Sequence, residues 1–267
     1  MIQILTYDDL PWRDDFDYES GYPSEQARWA AVPRRDEFIH VLLQHDVDTR
    51  PERTLQVLQH EERLQLPSNV MIFNKRIDRQ HLRKRGELRY TDYPLDFTYL
   101  QHLQDQQRFV IGYHSNSFER GLWNVDRALE IFEQDVAELR TTFRINYFSP
   151  HGGTPSPHDG RNNSDVPIPQ SLRSSLRWVS NKHGPRLISF SDGGINSPKR
   201  DPNLRDLRDF VATWKRGERY RVLTHPQYYN DPFGPSPRML EAEWYRKVLD
   251  TYGRGESGWT NVQIQNS

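Results

Sequence analysis

The sequence contains no cysteine. That absence excludes disulfide scaffolds, thiolate zinc sites and cysteine nucleophiles together, so any bound metal must be held by nitrogen and oxygen. A charge imbalance is missing as well. Lys and Arg number 36 against 37 Asp and Glu, a formal net charge of -1, and nothing global draws the chain toward nucleic acid or an anionic membrane. No stretch approaches the roughly 18 apolar residues of a membrane span, so no span is expected. The opening MIQILTYDDLPWRDDF lacks the basic segment and long apolar core of a secretory signal, and a cytoplasmic protein is expected.

What is present suffices for a core. Hydrophobic residues make up only 34%, but aromatics at 12% supply large buried area per residue. A length of 267 residues suits a single α/β domain, and no linker divides it. One domain over residues 1–267 is expected. Residues 1–37, which carry Trp12, Tyr18, Tyr22 and Trp29, are expected to form a packed amino-terminal extension or lid.

Apolar runs alternate with helical periodicity. Residues 38–44 (FIHVLLQ) predict a buried strand ending at His45. Thr49 and Pro51 then suit the start of a helix with Leu55, Leu58, Glu62 and Leu66 in register. Further strands are predicted at 69–73, 109–113, 145–148, 177–180, 187–190 and 220–223, and helices at 95–107, after Asn124, at 203–215 and at 236–252. Residues 152–169, rich in Pro, Gly, Asn and Asp, predict a long loop. Repeated βα units imply a parallel sheet, open or closed.

Polar clusters follow these strands: HDVD (45–48), YHSN (113–116), SPHGG (149–153), SDGG (191–194) and THP (224–226). In a parallel α/β fold the carboxyl ends of all strands open on one face, so the clusters converge there. Alternation puts Asp46 and Asp48 on one side of an extended chain, where two carboxylates can divide into metal ligand and general base. Asp48 can also cap the following helix. His114 and His151 lie where they can reach the same mouth. His225, fixed by Pro226, suits a general acid. Asp192 can orient a histidine or form an Asx turn. Tyr113, Trp123, Tyr228 and Tyr229 lie beside the clusters and can stack on a ring, or pack in the core.

In order and placement, the five clusters resemble a divergent polysaccharide deacetylase, the NodB-homology family of metal-dependent carbohydrate esterases, over about residues 38–252. The resemblance implies an irregular (β/α) barrel of about seven strands that removes N- or O-acetyl groups from sugars with a divalent metal, most simply zinc. It implies Asp46 as base, Asp48 and His114 as metal ligands, and His225, in the Leu-x-His motif, as the acid. The chain departs from the family at Phe118, where a second histidine is expected, and lacks the third motif's arginine. His151 is the nominee for the third ligand, with Asn116 and Glu119 as further ligand or substrate contacts beside Asp192 and Tyr228. A cytoplasmic enzyme would meet a small-molecule, lipid-linked or nucleotide-linked sugar. A non-catalytic carbohydrate-binding relative, or a hydrolase of a non-sugar amide, are the rival readings.

Overall fold

The computed structural model describes residues 1–10, 35–179, 188–192 and 207–228, and in it ten strands form. These are β1 (Ile2–Leu5), β2 (Ile39–Val47), β3 (Asn69–Ile72), β4 (Arg76–Ile77), β5 (Tyr90–Thr91), β6 (Val110–Ser115), β7 (Tyr147–Pro150), β8 (Arg177–Trp178), β9 (Ile188–Ser191) and β10 (Arg219–Thr224). The helices are α1 (Pro51–Arg63), α2 (Arg79–Arg85), α3 (Phe97–Gln106), α4 (Ser117–Arg120), α5 (Val125–Arg140) and α6 (Leu207–Ala212). Seven strands run in the order β8-β7-β6-β3-β2-β10-β9, all neighbours parallel, and β1 adds to β2. This is the parallel (β/α) architecture of about seven strands expected from the motif order. A small antiparallel pair, β4 with β5, stands apart from it.

Strand alternation sorts the side chains onto two faces. Val70 and Ile72 of β3 and Ile111 and Tyr113 of β6 pack against Leu58 of α1, Leu100 and Leu103 of α3, and Phe132, Val136 and Leu139 of α5. Val41 and Leu43 of β2 join Tyr220 and Val222 of β10 against Phe210 and Trp214. On the opposite face Leu42, Met71, Val110 and Tyr147 meet Leu5, Tyr7 and Val179. Burying each large apolar side chain contributes on the order of 1.5–3 kcal/mol. The inner face is narrow here. A Cβ on Gly112 would lie 2.4 Å from the sulfur of Met71 and 3.0 Å from the Tyr147 carbonyl oxygen, so any larger residue there would force Met71 to move.

Helix starts follow local chemistry. Asn124 accepts a hydrogen bond from the Arg127 N–H and caps α5, while Asp78 and Asp96 cap α2 and α3 through His81 and Tyr99. Asp48 does not cap α1. Arg50, at φ 51°, occupies the cap position without a side-chain bond, and Pro51 begins the helix.

Three differences from the sequence reading matter for the site. β2 does not end at Gln44: His45 to Val47 pair with Val70 to Ile72, so most of HDVD is strand. The strand predicted at 145–148 sits two residues later, at Tyr147–Pro150. β1 and α2 were not foreseen, and α2 (RQHLRKR) buries only Leu82, so it lacks the stripe that announces a helix. The helix predicted at 236–252, and Trp12, Tyr18, Tyr22 and Trp29, lie outside the described residues. Among the described residues no helix is long and apolar enough to cross a membrane.

Candidate metal centre and acid–base groups

The inner face of β2 carries Leu42, Gln44 and Asp46 in alternation, with Asp48 just beyond the strand end. Gln44 Oε1 accepts from the Tyr7 hydroxyl at 2.5 Å and from an Arg221 guanidinium N–H at 2.6 Å. Those bonds fix which end of the amide is oxygen. The Nε2 end therefore donates to Asp46 Oδ1, at 2.6 Å. His45 faces the other way. Its ring bridges Thr224 Oγ1 at 2.6 Å and Glu61 Oε1 at 2.8 Å, and the Ser68 hydroxyl donates to the same Glu61 carboxylate, a fully buried network behind the sheet.

His114, the fifth residue of β6, stacks on Phe73 with ring centroids 5.0 Å apart. Its Nδ1 lies 2.9 Å from the Ser149 carbonyl oxygen, which can only accept, so Nδ1 carries the hydrogen and Nε2 presents a lone pair. That Nε2 lies 3.2 Å from Asp48 Oδ1 and 3.8 Å from Asp46 Oδ2. His151 follows β7 and turns Nε2 to within 3.5 Å of Asp48 Oδ2, while Nδ1 faces Glu119 Oε2 at 3.2 Å.

Asp48, His114 and His151 each offer one ligand atom, all within 4.8 Å of one another. Two ligands held 2.0–2.1 Å from a tetrahedral centre stand about 3.3 Å apart, the spacing seen on both sides of Asp48. A second observation agrees. Asp48 Oδ1 and His114 Nε2 are buried and make no hydrogen bond, an arrangement that costs free energy unless a cation satisfies both. A one-carboxylate, two-imidazole set suits a divalent transition metal such as zinc.

The charges around the cluster are coupled. Burial pushes the Asp48 carboxyl up, but the His151 charge and the imidazoles of His114, His151 and His225 turned toward it overcome this and hold Asp48 well below its ordinary value. Burial opposes the His151 charge; Asp48 and Glu119 outweigh it and bring the imidazole up to about 9. Glu119 is likewise raised by burial, yet hydrogen bonding and charge from His151, with Arg79 and the Thr154 N–H, take it down to about 2. Arg79 Nη1 stands 3.3 Å from His151 Nε2, and its Nε lies 3.5 Å from Glu119 Oε1.

His225 follows β10. Asp192, just past β9, meets it twice, with Oδ1 2.5 Å from the ring Nδ1 and Oδ2 accepting the backbone N–H at 2.7 Å. Burial disfavours the imidazolium, but Asp192, and then Asp48 and Asp46, raise His225 well above its ordinary value. Its Nε2 points back to Asp48 Oδ2 at 3.8 Å. β7 and β10 are four places apart in the sheet, roughly 19 Å in a flat one at about 4.8 Å per strand. Because His151 and His225 approach the same oxygen, the sheet curls toward them.

The remaining expected site residues fall elsewhere. Glu119 and Asp192, expected against substrate, are 0% and 2% exposed, and both are turned to histidines instead. Asn116 is buried and donates to the Lys75 carbonyl. Tyr228 ends the 3-10 turn Pro226–Tyr228 directly after His225, and Tyr229 lies outside the described residues. Tyr113 faces the helices with its hydroxyl donating to Asp135, so it offers no ring to a sugar. The Trp123 indole N–H donates to the Thr154 carbonyl. Phe118 is buried with Ala128 and Val166. Sequence reasoning missed Gln44 and Arg79. A glutamine inside an apolar strand, two residues before Asp46, was the available signal for the first, because a buried amide needs partners. Arg79 had none, since α2 itself was not foreseen.

No family model matches the sequence, and neither does any curated protein. Solved structures of similar fold include a CE4 esterase of Streptococcus mutans, with TM-score 0.45 and 12% identity over 89% of this chain and 90% of that one. Another is the catalytic domain of a peptidoglycan N-acetylglucosamine deacetylase from Eubacterium rectale, with TM-score 0.43 and 11% identity over 82% and 85%. A CE4 family pseudoenzyme from Bacillus anthracis has TM-score 0.39 and 12% identity over 81% and 61%. The likeness is one of fold.

Proposed function

We propose that the chain is a metal-dependent hydrolase that removes an N-acetyl or related acyl group from a sugar or sugar-containing precursor. The observation that carries this reading is the surrounding of Asp48. Two imidazoles with their nitrogens turned inward stand on one side of it, and an imidazole held protonated by Asp192 stands on the other.

Asp48, His114 and His151 would hold the cation, whose chemistry when bound is to polarise a carbonyl and make nearby water acidic. Asp46 has Oδ1 tied to Gln44, which leaves Oδ2 to take a proton from water attacking the acyl carbon. His225 gives its Nε2 proton to the departing nitrogen as the C–N bond breaks, so the amine leaves neutral. Acetate and the free amine are the products. Asp192 keeps the acid aimed by holding both its backbone and its ring. Glu119 holds His151 by Nδ1 and so turns Nε2 toward Asp48, where the cation would take the place of the Arg79 Nη1 contact and of any proton on that nitrogen. Zinc, a cytoplasmic setting, and a small, lipid-linked or nucleotide-linked sugar as substrate are parts of the same reading.

The test pairs metal analysis of the purified chain with amide hydrolysis of N-acetylated sugars, measured for the natural sequence, Asp46→Asn and His114→Ala. The expected result is about one equivalent of metal per chain, with hydrolysis lost in both variants and metal lost only in the second. Hydrolysis that survives Asp46→Asn, or that persists in metal-free protein, overturns the reading.

A further inference from the structure

Charge of one sign collects on the insertion that carries β4 and α2. Residues 76–89 (RIDRQHLRKRGELR) hold six Lys and Arg against two acids, a net of +4 in a chain whose total is -1. Neither acid neutralises the last turn of α2. Asp78 is engaged by Arg89 and by the His81 N–H, and Glu87 faces His81 at 3.5 Å. Arg83, Lys84 and Arg85 are exposed, and among the described residues they form no ion pair.

Contacts at two of its residues tie this helix to the candidate centre. Arg79, its first residue, is partly exposed and stands with Nη1 3.3 Å from His151 Nε2 and Nε 3.5 Å from Glu119 Oε1. Four residues and about 6 Å further along the axis, Arg83 Nε donates to Thr154 Oγ1 at 3.2 Å, and the Thr154 N–H donates to the same Glu119. α2 therefore runs along the loop that follows β7, starting at His151. The helix dipole accounts for only part of the charge, because cations suit the last turn but Arg79 stands in the first, where a cation is disfavoured. Glu119 offsets that cost, yet it is already held by His151 and the Thr154 N–H. A cation on His151 Nε2 would displace Nη1, leaving at the edge of the centre a planar guanidinium whose fork suits a carboxylate or phosphate.

We infer that α2 is a cationic track for the substrate, which is an acylated sugar bearing carboxylates or phosphates, with Arg83, Lys84 and Arg85 drawing in its charge and Arg79 facing the anionic group nearest the acyl group. The inference rests on the proposed hydrolase for what happens at Asp48, but the track stands on the charge and contacts of α2. It narrows the substrate class from acylated sugars in general to anionic ones.

The experiment uses the full chain and two matched pairs of probes. N-acetylglucosamine is compared with its 1-phosphate, and neutral chitotetraose with a hyaluronan tetrasaccharide, whose glucuronates carry carboxylates. Binding is followed by calorimetry and hydrolysis by amine release. The charged member of at least one pair is expected to bind about tenfold more tightly at low salt, and that advantage should shrink as salt screens it. The pair that shows it tells phosphate from carboxylate. Arg79→Gln should erase most of the advantage. Lys84→Gln combined with Arg85→Gln, far enough from the centre to leave its metal content unchanged, should raise KM for the charged probe and leave kcat alone. Arg108→Gln, which removes an exposed cation ahead of β6 at the other end of the sheet, should change neither. No advantage in either pair, an advantage that Arg108→Gln reduces as much as the α2 variants do, or equally tight binding of a short single-stranded DNA overturns the track. Charge-dependent binding that the α2 variants lose, without amine release from any probe, supports the track while sinking the hydrolase. Amine release without preference for charge does the reverse.

Discussion

Asp192 holds His225 by both its backbone N–H and its ring Nδ1, at 2.7 and 2.5 Å. The double grip fixes where the imidazole is and keeps it protonated. Asp192→Ala should therefore lower kcat by on the order of 10²–10⁴, the usual contribution of a positioned acid. The acid works only when protonated, and losing Asp192 lowers its pKa, so the alkaline limb of the kcat profile should move to lower pH. A reduced rate with an unmoved alkaline limb would remove His225 from the acid role.

Gln44→Glu tests the base from behind. A glutamate keeps acceptors for Tyr7 and Arg221 but replaces the N–H that faces Asp46 with a second carboxylate oxygen. Two adjacent carboxylates resist ionising together, so one must bind a proton more strongly. The acid limb of kcat/KM should shift upward in pH while the thermal midpoint changes little. An unchanged acid limb would argue against Asp46 as the base.

Metal uptake should release protons. With its pKa raised to about 9, His151 is protonated at neutral pH in the metal-free chain, yet a ligand imidazole must be neutral. Affinity should thus rise by about tenfold per pH unit between neutrality and pH 9 and flatten above it. Calorimetry in buffers of different ionisation heat measures the released proton directly. Glu119→Gln should reduce that release and weaken metal binding by about 10–100-fold. Uptake with no proton release would exclude His151 as a ligand.

The network behind the sheet makes a separate claim about stability. His45→Leu leaves the wholly buried Glu61 carboxylate with Ser68 as its remaining hydrogen-bond partner, and should cost about 3–5 kcal/mol in denaturant unfolding. Replacing His45 and Glu61 together by apolar residues should restore much of that loss, because no orphaned charge remains. A double variant no more stable than the single one would refute this account of the buried network.

The sequence was legible where one element speaks for itself. Each strand of the path is a short apolar run, and a polar cluster after such a run must open on the shared face, which brought Asp46, Asp48, His114, His151 and His225 into view. The same alternation that put Asp46 and Asp48 on one side also put His45 behind the sheet. Relationships across distance were not legible. Glu119 meets His151 and Asp192 meets His225 from more than thirty positions away, so neither pairing leaves a local trace. Arg79 arrived on a helix with no apolar stripe, and β1 gains its meaning only by pairing with β2.

The imidazoles proposed to hold the metal, with their supporting Phe73 and Glu119, belong to the β3, β6 and β7 side of the sheet, while the proposed acid and its partner come from β9 and β10. Asp48, just beyond the end of β2 between them, approaches both groups. Under the proposed function, cation binding and proton delivery are thus mechanically separable. A disturbance that relaxed the curvature between β2 and β10 would leave a chain that still loads its ion yet turns nothing over.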